Sequence, residues 1–190
     1  MKKLQIAVIG SAGPEEYRFD KPNPAMYEAS EKLGALLAVR NCVVVNGGKG
    51  GVMEAVCRGA KSQGGITVAE IEADGRYGGN DFVDIEIVTM DIGFRGPSTL
   101  IGMSDAIIAL GGGAGTLQEL AVAYRMRKPI VLLEGYGGWV DKLSGRFLDE
   151  RKLVPFYRTR IVSEAVNRAV REAEAQKNRN VSNVATNRER

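Results

Sequence analysis

The stretch 106–120, Ala-Ile-Ile-Ala-Leu-Gly-Gly-Gly-Ala-Gly-Thr-Leu-Gln-Glu-Leu, constrains this chain more than any other. The apolar run 106–110 is long enough for one buried strand. Glycine at 111, 112, 113 and 115 breaks it at once, and Leu117, Leu120, Ala121 and Tyr124 then recur on one helical face. A strand that turns through glycine straight into a helix aims unpaired backbone N–H groups and the positive helix end at one point. Such a point suits an anion, most often a phosphate. One or two glycines suffice for a tight turn; four in five positions point to close approach of a ligand to the backbone.

The same unit recurs along the chain. Apolar runs at 4–9, 42–45, 66–71, 85–89, 106–110 and 130–133 read as strands, with a last short strand at 160–162. Helical spacing predicts helices over 24–40, 52–62, 94–103, 139–148 and from 163 onward, with the central helix running to about 127 and Pro97 in the first turn of the third. Asn41 is the expected stop of the first helix. The segment 72–81 reads as a polar, glycine-bearing loop at the surface, where loops cover ligands or stay mobile. Strands alternating with helices predict one α/β domain over 1–175: a doubly wound, Rossmann-like, mostly parallel sheet of about seven strands with helices on both faces. A flexible polar tail is expected over 176–190. Right-handed crossovers put the C-terminal ends of parallel strands on one edge, so the glycine turns after the strands at 4–9, 42–45 and 106–110 share the edge where open α/β sheets bind ligands.

Composition narrows the chemistry. The chain has 190 residues, 44% hydrophobic and 26% charged, with a net charge of +3, so a soluble globular protein is expected, without a nucleic-acid partner. No apolar run approaches a membrane span and the N-terminus lacks a signal-peptide pattern, so the expected location is the cytoplasm, without a membrane partner. There is no histidine, which removes the Ser-His-Asp triad, the Cys-His pair and histidine metal sites together. Cys42 and Cys57 make neither a disulfide framework nor a zinc site. Asp74, Asp81, Asp84, Glu86 and Asp91 match no metal spacing, and no metal is expected. The basic residues Lys177, Arg179, Arg188 and Arg190 are too sparse for a nucleic-acid patch.

The candidate ligand contacts follow from the shared edge. They are Gly112, Gly113, Ala114, Gly115 and Thr116 in the central loop, Gly47, Gly48, Lys49 and Gly50 in the loop after the second strand, and Gly10 and Ser11 after the first. The central loop is not a Walker motif, because it lacks the closing Gly-Lys-Ser/Thr. It is not a Gly-x-Gly-x-x-Gly fingerprint either, because Thr116 stands at the last glycine position. Thr116 and Glu119 form Thr-x-x-Glu. That spacing fits a capping box, in which Glu119 reaches back to the Thr116 N–H, and fits equally a carboxylate beside a bound sugar phosphate. Arg95, directly after the fourth strand, is placed to clamp a phosphate.

Taken together, 47–55 (Gly-Gly-Lys-Gly-Gly-Val-Met-Glu-Ala), 104–110 (Ser-Asp-Ala-Ile-Ile-Ala-Leu), 111–120, Lys128-Pro129-Ile130 and 135–139 (Gly-Tyr-Gly-Gly-Trp) resemble the LOG (LONELY GUY) superfamily of Rossmann-like proteins, long mislabelled lysine decarboxylases. The resemblance covers about 4–172. It implies a homodimer or higher homo-oligomer that hydrolyses the N-glycosidic bond of nucleoside 5′-monophosphates such as AMP or cytokinin ribotides, with no required cofactor. It implies a phosphate grip by Gly112, Gly113, Gly115 and Thr116, and catalysis by Glu119 with Arg95. The family motif opens with proline where this chain has Gly111, and its arginine is followed by lysine where this chain has Gly96-Pro97. Over the triple glycine the chain is more similar to a branch that includes molybdenum-cofactor carrier proteins. That branch implies the alternative: a non-catalytic carrier of a bound nucleotide, phosphate or molybdopterin-type ligand.

Overall fold

A computed structural model describes residues 2–13, 23–71, 75, 77–89 and 98–188, with side chains up to 179. Seven strands, β1 (Gln5–Gly10), β2 (Val43–Asn46), β3 (Ile66–Ile71), β4 (Ile85–Val88), β5 (Ala106–Leu110), β6 (Ile130–Leu133) and β7 (Phe156–Thr159), form one sheet in the order β4-β3-β2-β1-β5-β6-β7. Every pair is parallel. The helices are α1 (Pro24–Val39), α2 (Val52–Ser62), α3 (Ser98–Gly102), α4 (Ala114–Arg125), α5 (Gly138–Lys142) and α6 (Val162–Arg188).

Alternation along the strands divides the core in two. Ile6, Val8, Val44, Ile108 and Val131 point to one face, which α1, α2 and α6 cover with Leu33, Leu37, Val56, Val166 and Ala169. Ala7, Ile9, Val45, Ile107 and Leu132 point to the other, which α3, α4 and α5 cover with Leu100, Leu120, Tyr124 and Val140. Central strands buried on both faces must be apolar throughout, which is why β1, β2, β5 and β6 read as continuous hydrophobic runs. Helix ends follow local chemistry. Asn41 (φ +57°) and Gly64 (φ +66°) supply left-handed residues just beyond α1 and α2, as does Arg127 (φ +54°) beyond α4.

Two expectations are corrected. The last strand is Phe156–Thr159, not 160–162. Ile161 is 53% exposed, and its carbonyl accepts the Ala165 N–H in the first turn of α6. Helix α5 stops at Lys142 rather than 148, because Leu143 is extended (ψ 112°). The Arg158 guanidinium donates to the carbonyls of Leu143 and Gly145 and holds them outside a helix. The central helix starts at Ala114, ahead of its first apolar residue. Of the third predicted helix, 98–103 falls within the described residues and Ser98–Gly102 is helical; its predicted start, Pro97 and Arg95 lie outside them.

Candidate functional site

Between β1 and β5 the strand order reverses, since the connections from β1 run toward β4 and those from β5 toward β7. Their C-terminal ends are in register, Gly10 against Leu110, and they approach closely: a Cβ on Gly10 would sit 2.4 Å from the Leu110 carbonyl oxygen. A crevice at such a reversal is the usual ligand position in open α/β sheets.

Four loops meet there, and Ser11 ties three of them. Its Oγ accepts the Gly112 N–H at 3.0 Å and its carbonyl accepts the Val52 N–H at 2.9 Å. From the other side the start of α5 locks the central loop: the Trp139 N–H donates to the Gly112 carbonyl (2.9 Å) and the Val140 N–H to the Gly111 carbonyl (3.2 Å). Gly138, with φ +63°, makes that approach possible, because a Cβ there would lie 2.4 Å from the Gly111 carbonyl carbon.

What remains open is the start of α4. Its N-cap is Gly113, no side chain caps it, and its first turn carries no acidic residue. Gly113, Ala114 and Gly115 are exposed. The first intrahelical bond is Leu117 N–H to the Gly113 carbonyl, so the N–H groups of residues 114–116 precede the helical ladder. Helix α1 differs: Asn23 Oδ1 accepts the Met26 N–H at 3.1 Å and so caps its own helix. A Cβ on Gly113 or Gly115 would meet nothing within 4 Å, and neither has a positive φ. The fold does not require glycine at either position.

The helix start also settles the Thr-x-x-Glu spacing. Thr116 is the third helical residue rather than the N-cap, so the capping box does not form. Thr116 is 4% exposed, its side chain beneath Gly112. Glu119 falls in the second turn and is half-buried. Gly111 has φ +61°, far from the −65° that proline imposes. The loop therefore does not admit the proline of the hydrolase motif in its present shape.

The loop after β2 is more self-contained. The buried Asn46 side chain accepts the Gly48 N–H (2.8 Å) and donates to the Met53 carbonyl and Cys57 Sγ. Gly47, Lys49 and Gly50 are half-buried. Burial pushes the Cys57 thiol up to about 11, outweighing the Asn46 and Asn80 hydrogen bonds, so no thiolate serves this edge near neutral pH. Among the described residues no group of three or more His, Cys, Asp or Glu side chains is placed to hold a metal ion.

Sequence reasoning passed over Asn80 and Glu70 here, and weighed Glu86 only as a metal ligand. Asn80 donates from its backbone and side chain to the Gly48 carbonyl, and from its side chain to the Lys49 carbonyl. Glu86 accepts the Tyr77 and Gly79 N–H groups. Glu70, 5% exposed at the end of β3, accepts the Leu100 N–H at the start of α3; an acid inside an apolar strand was its only signal. A groove of about 450 Å³ lies elsewhere, along β7 and α6. Its cations are engaged, Arg158 with Glu134 and Arg168 3.6 Å from the Tyr157 ring centroid, so the open backbone donors on the glycine edge are the stronger candidate.

A protein-family model described as the SLOG cluster4 family matches residues 3–166. An uncharacterised protein of Archaeoglobus fulgidus is 40% identical over 141 residues, 71% of this chain and 87% of that protein. The chain is similar in structure to the molybdenum cofactor carrier protein of Chlamydomonas reinhardtii, at 29% identity and TM-score 0.72, over 91% of this chain and 99% of that one. It is also similar to the molybdenum cofactor binding protein of Rippkaea orientalis, at 34% identity and TM-score 0.61, over 69% of this chain and 76% of that one. No helix among the described residues is long and apolar enough to cross a membrane.

Proposed function

This chain belongs to the SLOG cluster4 family, and on that premise we propose that it binds a phosphate-bearing, nucleotide-like ligand at the start of α4 and acts as its carrier. The observation that carries the reading is the exposed, uncapped helix start with two glycines, Gly113 and Gly115, that the fold does not need. Glycine there lets phosphate oxygens approach the backbone N–H groups, and the helix end favours their charge. The two carrier and binding proteins named above support a molybdopterin-type ligand, and the positive φ of Gly111 separates this loop from the proline-led hydrolase motif. No further cofactor is required for this role. The protein works in the cytoplasm as a homo-oligomer, without membrane or nucleic-acid partners; Ile66, Ile85 and Ile87 leave apolar surface on the sheet for a second copy to cover.

A second reading rests on Glu119. Freed of the capping-box explanation, its half-buried carboxylate one turn beyond the phosphate position suits hydrolysis of a nucleoside 5′-monophosphate. It would stabilise the oxocarbenium-like ribose and position water as the base departs, with Arg95 on the phosphate or the leaving base. One experiment separates the readings. The protein is incubated with AMP, free adenine is followed by chromatography, and phosphate-ligand binding is measured in parallel by dialysis. Binding without adenine release supports the carrier. Adenine release abolished by Glu119→Gln, with binding kept, establishes the hydrolase. Absence of binding by AMP, ribose 5-phosphate and a molybdopterin-type ligand alike overturns both.

A further inference from the structure

Strand β7 ends the sheet on the side away from β4. Helix α6 lies beside it, and two hollows of about 450 and 460 Å³ open between them. Tyr157 lines both, so they run end to end as one groove. One wall is the chain from Leu153 to Thr159, and the other is α6 from Glu164 to Arg179. At about 1.5 Å per residue the helix carries the groove for roughly 22 Å. About seven extended residues cover the same span.

The charge of this groove is one-sided. Five arginines line it against two glutamates. Arg158 is engaged with Glu134, and Arg168 with Glu172 and the Tyr157 ring. Arg127, Arg171 and Arg179 are exposed, and among the described residues none of the three donates a side-chain hydrogen bond. The Glu172 carboxylate stands 3.9 Å from Arg171 Nε but 3.2 Å from Arg168 Nε. A second copy docked here across a two-fold axis would set arginine against arginine, so the face suits an acidic partner. A further observation narrows its chemistry. Gln176 lines the groove, and its Oε1 is buried without a hydrogen-bond partner. A buried acceptor left unpaired costs free energy until a donor reaches it. Beside it Leu153, Val154 and Pro155 supply an apolar, half-buried floor. A peptide brings backbone N–H donors, apolar side chains and carboxylates together. A phosphate backbone brings acceptors only, and single strands also need open aromatic faces to stack on. The ring that both hollows share, Tyr157, is covered by Arg168 at 3.6 Å.

We propose that the groove between β7 and α6 docks an acidic, extended segment of a partner protein, whose carboxylates meet Arg127, Arg171 and Arg179. The docking is independent of the phosphate reading of α4. The test uses the full chain and a fluorescein-labelled, end-blocked peptide of eight alternating glutamate and leucine residues. Binding is followed by fluorescence anisotropy at low and high salt. A lysine–leucine peptide of the same length and a labelled oligothymidine are the controls. The acidic peptide is expected to bind, more weakly as salt rises, and the lysine peptide is not. Arg171→Glu and Arg179→Glu are each expected to weaken the acidic peptide by about threefold to tenfold. Lys32→Glu, an exposed charge on α1, changes it by less than about twofold, because screening confines the effect of a distant charge. Both arginines are exposed, so the variants melt with the wild type and a lost affinity is not a lost fold. Failure of the acidic peptide to bind, equal binding of the lysine peptide, an equal loss in Lys32→Glu, or tighter binding of oligothymidine overturns the proposal. So does a sedimentation coefficient that changes on Arg171→Glu in the absence of peptide, since a second copy then occupies this face.

Discussion

Two glycine loops on the same edge, 46–51 and 110–115, look alike in sequence and differ in what they have left to offer. In the first, Asn46 occupies the Gly48 N–H, Asn80 occupies the Gly48 and Lys49 carbonyls, and Gly51 packs against the Ser11 and Ala12 backbone. Helix α2 then begins with Glu54 in its first turn, a negative charge near the positive helix end. In the second, the carbonyls of Gly111 and Gly112 are bonded and Ser11 holds the Gly112 N–H, yet the start of α4 has neither cap nor acid. Glycine content does not mark a ligand loop. The mark is glycine that the fold does not require, beside N–H groups that precede the helical ladder.

Substitution by alanine breaks the comparison most sharply. Gly51 has φ +63°, and a Cβ there would lie 2.5 Å from the Ser11 carbonyl oxygen. Gly51→Ala is expected to cost on the order of 3 kcal/mol of stability, read as a lower denaturation midpoint at constant slope. Gly115→Ala is expected to do the opposite to the fold. Its Cβ meets nothing, and it replaces glycine in the first turn of a helix, so stability holds or rises by up to about 1 kcal/mol. Phosphate-ligand affinity nevertheless falls, by about tenfold to a hundredfold, if one charge-assisted N–H contact is lost. Should Gly115→Ala bind as tightly as the wild type, the distinction between the two loops disappears.

This contrast also shows what the sequence could and could not reveal. The sheet was legible because β1, β2, β5 and β6 are buried on both faces and must be apolar throughout. Strand β7 was not, because it lies at the sheet edge with only Phe156 fully buried, and its partly covered residues give no clear alternation. The α4 start was not legible to the residue, because Ala114 and Gly115 lie outside the spacing of Leu117, Leu120 and Tyr124, while Thr116 and Glu119 offered a competing cap signature. The glycine edge itself was legible from strand–glycine–helix order alone. Its partition into a closed and an open loop was not, since that depends on Asn80 reaching back to Gly48 and on Trp139 and Val140 reaching Gly112 and Gly111. Such bonds between distant polar groups leave no periodic trace.

A smaller effect is expected at the residue the loops share. Ser11→Ala removes the acceptor of the Gly112 N–H and leaves the bond from Val52 to the Ser11 carbonyl in place. About 1 kcal/mol of stability is expected to go, with the loss of amide protection confined to Gly112 and its neighbours. Equal loss of protection at Val52 and Gly48 would mean that the two loops move as one unit and that the contrast between them is not local.

The mildest perturbation is acid, and it separates the loops by chemistry rather than by sterics. The segment 77–84, which closes the first loop through Asn80, is anchored through Asp84. Its carboxylate accepts the Thr67 N–H (2.9 Å) and hydroxyl (3.0 Å) and pairs with Lys61. Burial alone would raise its pKa, but the bonds from Lys61 and Thr67 prevail and hold it below the usual aspartate value. A carboxyl depressed in the folded state adds stability above its unfolded pKa and loses it as pH falls through the folded one. The contribution is therefore complete near neutrality and fades below about pH 4. Gly112 is held by a hydroxyl and by backbone groups of its own chain, none of which titrates there. Hydrogen exchange at pH 6 and pH 3, corrected for intrinsic rates, should lose protection at Thr67 and Asn80 before Gly112. The shift is modest because Asp84 and Lys61 are each about a third exposed, where solvent screens the pair. Asp84→Asn should show the acid pattern already at pH 6. If Gly112 instead opens first, the central loop is the weaker of the two, and its open helix start reflects a frayed end rather than a site held ready for an anion.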